Sequence, residues 1–316
     1  MIIDQIVEEI KKAKTIIVLT HENPDGDAIG SSLALYLSLK QLGKKVDVII
    51  QQIPRTYRFL PGINEVKEKS DEETYDVAIA LDSGDIKRLN GFSNYFEDAK
   101  VKISIDHHIS NTMFADLNYV NHTAPATAQI LITILEYLEV EITKEIGTCL
   151  CTGIITDTGG FKYPNTTRET FEFIAVLLSK GINISSIYRQ VFDIISIGQF
   201  NLTNRALNRM EFIENNKIAY TYITDKDVQE TGTGIGEHEG IVNYGLSVEG
   251  VEVSVFIRED KNEYKVSLRS ASYVNVSDIC LLFNGGGHFN AAGCTISLPI
   301  EQAKQRIINE IKKALK

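Results

Sequence analysis

Three side chains that often bind metal ions lie close together near the start of the chain. His21, Asp25 and Asp27 fall within THENPDGDAIGSS, residues 20–32, which continues into small and apolar residues of helical type. A single loop with this much negative charge is hard to fold unless a positive charge lies in it. The sequence therefore predicts a bound cation that is held together with side chains from other segments.

Three further segments carry aspartate or histidine where apolar runs end. They are IALDSGD with Asp82, SIDHHISN with Asp106, His107 and His108, and GIITDTGGF with Asp157. Open parallel sheets bind ligands outside the carboxyl ends of their strands, so we expect these groups to meet the first loop at one sheet edge. Each residue alone has an ordinary explanation, such as Asp27 capping a helix over 28–42. Together, five carboxylates and three imidazoles need a cation.

The elements that must position these residues alternate between strand and helix. Compact apolar runs of strand type occur in TIIVLT, KVDVII, DVAIALD and VKISID, and helical spacing occurs in IIDQIVEEIKKA and AIGSSLALYLSLKQLG. This βαβ order predicts a parallel sheet covered by helices on both faces. The expected fold class is α/β.

A second, smaller α/β domain is expected toward the end of the chain. The stretch 186–212 has a helical pattern with little turn chemistry, and we interpret it as a connector between domains over 1–185 and 213–316. Beyond it, KIAYTYIT, VEVSVFIRE and EYKVSLRS predict strands, VSDICLLFNGG predicts a short helix, and the last residues predict an amphipathic helix. A chain of 316 residues is long enough for two domains with cores of their own.

The charge balance argues against long nucleic acid as a partner. The chain has 32 Lys and Arg residues against 42 Asp and Glu residues, a formal net charge of −10. Affinity for long duplexes grows with the number of phosphates that Lys and Arg neutralise, so we expect no long-duplex binding. A small anionic ligand in one local pocket remains compatible with this balance.

The apolar segments and the cysteines indicate the compartment. No stretch reaches about 18 uncharged apolar residues, and the N-terminus has charges throughout and no cleavage site of signal-peptide type. Cys149 and Cys151 are only two apart, which fits neither a disulfide framework nor a paired zinc site, so we expect the four cysteines to be buried apolar residues. We predict a soluble cytoplasmic protein with no membrane partner.

The donor set indicates which cations would bind. Carboxylates with a few imidazoles and no thiolate suit Mn²⁺ or Mg²⁺, with Co²⁺ also compatible, and there are enough ligands for two ions. Two such ions about 3.5 to 4 Å apart can hold a phosphoryl oxygen and activate a water molecule at neutral pH. The chemistry expected from the residues is hydrolysis of a phosphate ester.

The same segments resemble a known family. HENPDGD, LDSGD, DHH followed by Asn111, and GIITDTGGF resemble the four motifs of the DHH phosphoesterase superfamily in order, and GGGHFNAAG resembles the glycine-rich signature of its associated domain. The resemblance covers essentially the whole chain. It implies an active site in a cleft between two domains. Within the superfamily it implies hydrolysis of short single-stranded oligonucleotides, including pApA, to mononucleotides, and of 3′-phosphoadenosine 5′-phosphate to AMP.

The resemblance also implies roles for individual residues. By matching position, it assigns His21, Asp25 and Asp82 to one metal ion, and Asp27, Asp82, His107 and Asp157 to a second. Asp82 would bridge the two ions. His108 would face the substrate phosphate or protonate the leaving oxygen. Asp106 would orient an imidazole through its other nitrogen, with Asn111 beside it.

The second domain offers residues that suit a phosphate. They are Gly285, Gly286, Gly287 and His288 in the glycine-rich stretch, and Arg258, Arg269 and Ser270 near the ends of neighbouring strands. Glycine lets backbone N–H groups approach a ligand, and a guanidinium can bind phosphate with two parallel hydrogen bonds. A tight turn and surface charge are the ordinary alternatives. The resemblance favours recognition of a terminal phosphate or base by this domain.

Other functions are weaker matches. A family II-like inorganic pyrophosphatase shares the metal-binding loop, but the GGGH stretch and the lack of a Ser-Arg-Lys run near the C-terminus argue against it. A membrane phosphodiesterase would need spanning helices. A non-catalytic nucleotide sensor is expected to have lost metal ligands, whereas all six are intact here. The choice among short RNA, short DNA, pApA and 3′-phosphoadenosine 5′-phosphate stays open, as does a homodimer.

Overall fold

The chain forms two compact units. A computed structural model describes residues 1–70, 72, 74–234, 236–260 and 263–315. The units are Met1–Ile194 and Ile195–Lys316, and each has its own sheet. All four cysteines are free and buried, as expected from their spacing.

The first unit contains a five-stranded parallel sheet. Its strands are β1 (Thr15–Thr20), β2 (Lys45–Ile49), β3 (Val77–Leu81), β4 (Val101–Asp106) and β5 (Leu117–Val120). They lie in the order β2-β1-β3-β4-β5, and every neighbouring pair is parallel. The prediction of a parallel α/β sheet is confirmed, and the carboxyl ends of β1, β3 and β4 share one edge.

Both faces of this sheet are buried. The helices of the unit are α1 (Ile2–Lys12), α2 (Gly26–Gln41), α3 (Ser93–Glu97), α4 (Thr127–Tyr137), α5 (Lys144–Asp157), α6 (Arg168–Ser179) and α7 (Ile184–Tyr188). Along β1, Ile16 and Val18 join one apolar core, and Ile17 and Leu19 join another on the opposite face. Burial on both faces explains why the strands of this sheet are continuous apolar runs rather than alternating ones.

The second unit contains a six-stranded mixed sheet. Its strands are β6 (Glu211–Ile213), β7 (Ile218–Ile223), β8 (Val253–Asp260), β9 (Glu263–Ser270), β10 (Gly286–His288) and β11 (Ala291–Ile296). Their order is β10-β11-β9-β8-β7-β6, in which β7 and β8 are parallel and the other neighbours antiparallel. The helices are α8 (Ile197–Asn208), α9 (Asp225–Thr231), α10 (Ile241–Leu246), α11 (Val276–Leu281) and α12 (Ile300–Ala314).

The two faces of the second sheet have different environments. Val255 and Ile257 on β8 face a core that also contains Ile307 of α12. Phe256, between them, belongs instead to a smaller cluster with Ile241 of α10. Side chains alternate along a strand, so Arg258 lies on the same face as Phe256.

The stretch predicted as a helical connector is not one continuous helix. It comprises the end of α7, a π-helical turn at Arg189–Asp193, α8 and the start of β6, and the division between the units falls within it. Ile194 is extended, and the Ser196 side chain caps α8 by accepting a hydrogen bond from the backbone N–H of Gln199. Serine is a common N-cap residue, so Ser196 is the local sequence signal for a new helix start at this point.

Among the described helices, none is both long and apolar enough to cross a membrane by itself. One pair, Arg168–Ser179 with Ile184–Asp193, passes that test only when the two are taken together, and it is bent by 112°.

Candidate functional site

The loop after β1 places its aspartates around the start of α2. Asp25 is the N-cap of this helix, and its Oδ1 accepts hydrogen bonds from the backbone N–H groups of Asp27 at 3.1 Å and Ala28 at 3.0 Å. Asp25, rather than Asp27, therefore caps the helix. Asp27 lies in the first helical turn and is completely buried.

The tautomers of two histidines follow from their backbone contacts. Nδ1 of His21 lies 2.7 Å from the carbonyl oxygen of Glu22, and Nδ1 of His107 lies 3.3 Å from that of Ala124. A carbonyl oxygen only accepts hydrogen bonds, so Nδ1 carries the proton in both rings. In the neutral rings this leaves the Nε2 lone pair available for a metal ion.

Asp82 lies at the centre of the cluster. It directly follows β3, is 1% exposed, and adopts a φ of 55°, in the left-handed region that is unfavourable for a non-glycine residue. Its Oδ2 is 3.7 Å from Nε2 of His21, and its Oδ1 is 3.5 Å from Nε2 of His107. Burial acts to raise the pKa of Asp82, but the neighbouring histidines outweigh burial and lower it.

Asp27, His107 and Asp157 form an adjacent group. Asp27 accepts backbone hydrogen bonds from the first residues of α4, from Thr127 at 2.5 Å and Ala128 at 2.9 Å. Asp157 is the last residue of α5, and its Oδ2 lies 3.2 Å from Nε2 of His107. Burial, followed by the charges of Asp82 and Asp157, raises the pKa of Asp27 well above its usual value. Burial also raises the pKa of Asp157 to about 6.

Asp106 is occupied by protein donors. It is fully buried, and its Oδ1 accepts hydrogen bonds from the backbone N–H of His107 at 2.8 Å and from Nδ1 of His108 at 2.7 Å. Its Oδ2 accepts a hydrogen bond from Nδ2 of Asn111 at 2.7 Å. The carboxylate therefore fixes the orientation of the His108 ring, with its Nε2 directed away from Asp106.

These residues form three groups suited to metal binding. In each group, one ligand atom per residue lies within 4.8 Å of the others, and the groups are His21, Asp25 and Asp82; Asp82, His107 and His108; and Asp27, His107 and Asp157. Among the described residues, the ion pairs of these carboxylates are all with histidines. Carboxylates and imidazole lone pairs that converge in a buried site repel one another unless cations lie between them. The donor set fits divalent metal ions.

In the second unit, Arg269 and His288 lie in one row across the sheet. Ala291 of β11 is the register partner of both Arg269 on β9 and His288 on β10, so the two lie two strands apart, roughly 10 Å between backbones. Arg269 is half-buried and His288 is exposed. Ser270 is buried, and its hydroxyl is 3.1 Å from Nδ2 of Asn290, which ties β9 to the hairpin.

The glycine-rich stretch forms an edge strand rather than only a turn. Gly287 has a φ of +148°, and a Cβ there would lie 2.4 Å from the carbonyl oxygen of Ala291. A Cβ at Gly285 would lie 2.2 Å from the carbonyl oxygen of Gly293, whereas one at Gly286 would meet nothing within 4 Å. Close backbone approach therefore requires glycine at positions 285 and 287.

Arg258 is separated from Arg269. β8 and β9 are antiparallel, with Arg258 opposite Lys265 and Arg269 opposite Ser254. The two positions on β8 are four residues apart, which corresponds to about 13 Å along the strand. The two arginines lie on the same face but at opposite ends of the strand pair.

Two supporting residues are not evident from the sequence. The Thr127 hydroxyl donates a hydrogen bond to Oδ1 of Asp82 at 2.9 Å. Gly153 of α5 allows Asp27 to approach closely, since a Cβ there would lie 2.6 Å from Oδ1 of Asp27. A small residue within an apolar helix and a threonine at a helix start are the only local signals for these roles.

The fold and the site define a protein class. Residues 15–154 match the DHH family, N-terminal domain, and residues 215–316 match the DHHA1 domain. The chain belongs to the DHH family, in agreement with the motifs in its sequence.

Individual relatives are similar over nearly the full length. The chain is 35% identical to the bifunctional oligoribonuclease and PAP phosphatase NrnA of Thermus thermophilus, over 98% of this chain and 94% of that protein. It is 26% identical to the protein of the same name from Bacillus subtilis, over 92% of each chain. The crystal structure of an exopolyphosphatase-related protein from Bacteroides fragilis superimposes with a TM-score of 0.91 at 31% identity, covering 99% of this chain and 96% of that one.

Proposed function

We propose that this protein is a metal-dependent phosphoesterase that hydrolyses short oligonucleotides to mononucleotides and 3′-phosphoadenosine 5′-phosphate to AMP. The observation that carries the proposal is the position of Asp82, whose Oδ2 lies 3.7 Å from Nε2 of His21 and whose Oδ1 lies 3.5 Å from Nε2 of His107. The names of the full-length relatives in Thermus thermophilus and Bacillus subtilis support the substrate class.

The donor atoms fit two divalent ions. The residues that would hold them are His21, Asp25 and Asp82 for one ion, and Asp27, Asp82, His107 and Asp157 for the other. We propose Mn²⁺, with Mg²⁺ and Co²⁺ as alternatives, because oxygen and imidazole ligands without thiolate suit these ions. Such ions, when bound, supply positive charge for a phosphoryl group and activate water for attack.

His108 is proposed to act on the leaving group. Burial acts to lower its pKa, but the hydrogen bond to Asp106 and the charge of Asp82 outweigh burial and raise it. The hydrogen bond to Asp106 favours the protonated ring, in which Nδ1 donates to Asp106 and Nε2 carries the second proton. A proton at Nε2 can pass to the leaving oxygen as its bond to phosphorus breaks.

The second unit is proposed to recognise the nucleotide. Arg269 supplies a planar pair of donors that matches a phosphate, and His288 lies in the same row of the sheet. Gly286 and Gly287, on the edge strand, are proposed to present backbone N–H groups to the same ligand.

A direct comparison of substrates tests the function. The purified protein with Mn²⁺ is given pApA, short RNA, short DNA, 3′-phosphoadenosine 5′-phosphate and inorganic pyrophosphate in parallel, and initial rates are measured. We expect hydrolysis of the nucleotides and little hydrolysis of pyrophosphate, and Asp82→Asn serves as the inactive control. Faster hydrolysis of pyrophosphate than of every nucleotide would instead identify a pyrophosphatase.

A further inference from the structure

A polar pocket lies within the C-terminal unit. It has a volume of about 390 Å³, within the usual range for sites that bind small molecules. Its polar lining includes His238, Arg258, Lys265, Asn284 and Thr295. Arg269 and His288 do not line it. Gly285 and Gly293 do line it, so the pocket borders the glycine-rich stretch but does not include the row of Arg269 and His288.

The pocket is electropositive in an acidic protein. The chain has an excess of acidic residues, yet no described aspartate or glutamate lines this pocket. Arg258 and Lys265 are direct register partners on neighbouring strands. Like charges placed directly opposite in a sheet are destabilising, so this pair favours an anion that lies against both.

The nearest acidic groups compensate this charge only weakly. Nη2 of Arg258 is 3.4 Å from Oδ2 of Asp260, and Nζ of Lys265 is 3.6 Å from Oε2 of Glu263. The Asp260 side chain is 35% exposed and that of Glu263 is 51% exposed, so water screens both contacts. Charge-assisted hydrogen bonds are shorter, about 2.7 to 2.9 Å.

The remaining side chains suit a phosphorylated ligand. Nζ of Lys265 lies 3.1 Å from Oγ1 of Thr295, which directs the ammonium over β11. Burial, together with the charge of Arg258, lowers the pKa of His238 to about 4, so its ring is neutral at neutral pH. A neutral ring donates one hydrogen bond without adding charge. Phe256, on the same face of the sheet as Arg258, provides an apolar side chain.

We propose that this pocket binds the phosphate group of a nucleotide, with Arg258 and Lys265 contacting the phosphate oxygens. The backbone of Arg258 lies about 13 Å along β8 from the position opposite Arg269. The choice of a nucleotide as the ligand rests on the proposed function. The assignment of an anion site rests only on the residues that line the pocket.

Binding without catalysis tests the proposal. The full chain is kept in excess chelator, so that the result does not depend on hydrolysis, and is titrated by calorimetry with AMP, adenosine and inorganic phosphate. The test variant is R258Q/K265Q. The matched control is R306Q/K313Q, which removes the same charge from exposed positions of α12 in the same unit.

We expect AMP to bind the wild type more tightly than adenosine does, and R258Q/K265Q to weaken AMP binding about tenfold or more. The control should bind AMP as the wild type does. R269Q should retain the AMP binding that R258Q/K265Q loses. Equal AMP affinity in the wild type and R258Q/K265Q would overturn the proposal, and so would complete loss of AMP binding in R269Q.

A melting experiment and a single variant provide independent checks of AMP binding at this pocket. At the same AMP concentration, AMP should raise the melting temperature of the wild type more than that of R258Q/K265Q. If the double variant is unstable, R258Q alone provides the same comparison with a smaller loss. Inorganic phosphate that binds as tightly as AMP would show a site for free phosphate and would overturn the assignment to a nucleotide.

Discussion

The Thr127 hydroxyl donates a hydrogen bond to Oδ1 of Asp82 at 2.9 Å, which links the start of α4 to the end of β3. Both residues are buried. The backbone N–H of Thr127 also donates to Asp27. One residue thus orients two carboxylates that we propose as metal ligands.

Thr127→Val should weaken metal binding while retaining the fold. Valine has nearly the same shape but lacks the donor, and an unsatisfied hydrogen-bonding group in a buried site costs about 1–3 kcal/mol. We expect a higher Mn²⁺ concentration for half-maximal activity, and Thr127→Ser should restore most of the loss. Thr148→Val is the control, because that hydroxyl bonds to the backbone of its own helix at Lys144. Equal metal dependence in Thr127→Val and wild type would contradict this role.

Gly153→Ala should displace Asp27. The added methyl group would lie 2.6 Å from Oδ1 of Asp27 and 2.6 Å from Cβ of Ala128, and both neighbours are fixed by packing. Overpacking of this kind costs about 1–3 kcal/mol. We expect a lower melting temperature and weaker Mn²⁺ binding. Gly91→Ala, where a Cβ would meet nothing within 4 Å, is the matched control. Unchanged metal affinity in Gly153→Ala would argue against Asp27 as a ligand.

Local sequence patterns predicted where strands end, whereas contacts between residues distant in the chain could not be predicted. The ends of β3 and β4 were predictable because the apolar runs of the sequence end at Asp82 and Asp106, where the buried strands also end. The role of Gly153 was not, since its contact with Asp27 joins residues that are distant in the chain. The β10–β11 hairpin was also missed, because the strand character of a glycine run depends on its pairing partner. The antiparallel register that separates Arg258 from Arg269 is likewise a property of the assembled sheet.

Removal of metal ions should abolish hydrolysis and lower stability. The site concentrates carboxylates whose ion pairs, among the described residues, are with histidines, so a chelator leaves their repulsion uncompensated. We expect activity to disappear with chelator and return with Mn²⁺, and Mn²⁺ to raise the melting temperature. Asp82→Ala should be the most damaging carboxylate replacement. Undiminished turnover in a metal-free preparation would refute the proposed mechanism.

Asp227 should make stability depend on pH in the acid range. Its buried carboxylate accepts hydrogen bonds from Nη2 of Arg209 at 2.9 Å and from Nη1 of Arg205 at 3.1 Å. Burial acts to raise the pKa of Asp227, but Arg209 and the hydroxyl and backbone of Thr224 outweigh burial and lower it. The native pKa is below the unfolded value, so the stabilisation is present above about pH 4 and is lost as the pH falls further.

Urea unfolding between pH 2 and 6 tests this assignment. Asp227→Asn should lower stability at pH 6 and flatten its fall at acid pH. Arg209→Gln should keep a titrating carboxylate but make the fall smaller, because its native pKa would lie closer to the unfolded value. A pH dependence of Asp227→Asn identical to that of the wild type would assign the acid sensitivity to other groups.

Arg269→Ala should impair nucleotide recognition without changing metal binding. Arg269 lies on β9 of the second unit, whereas the proposed metal ligands all belong to the first. A charge-assisted hydrogen bond to phosphate contributes about 1.5–3 kcal/mol, which corresponds to a rise in KM of about ten- to a hundredfold for pApA. The Mn²⁺ concentration for half-maximal activity should not change. Arg306→Ala, at an exposed position of α12, is the control.

The substrate dependence of the same variant separates recognition from chemistry. Bis-(p-nitrophenyl) phosphate has no distal phosphate for Arg269 to bind, so its hydrolysis should fall much less than that of pApA. Wild-type kcat/KM should also decrease for RNAs of about twenty nucleotides relative to dinucleotides, because an acidic protein has few groups to neutralise extra phosphates. If Arg269→Ala lowered the hydrolysis of bis-(p-nitrophenyl) phosphate as much as that of pApA, Arg269 would not bind the distal phosphate of the nucleotide. Equal wild-type rates across RNA lengths would contradict the preference for short substrates.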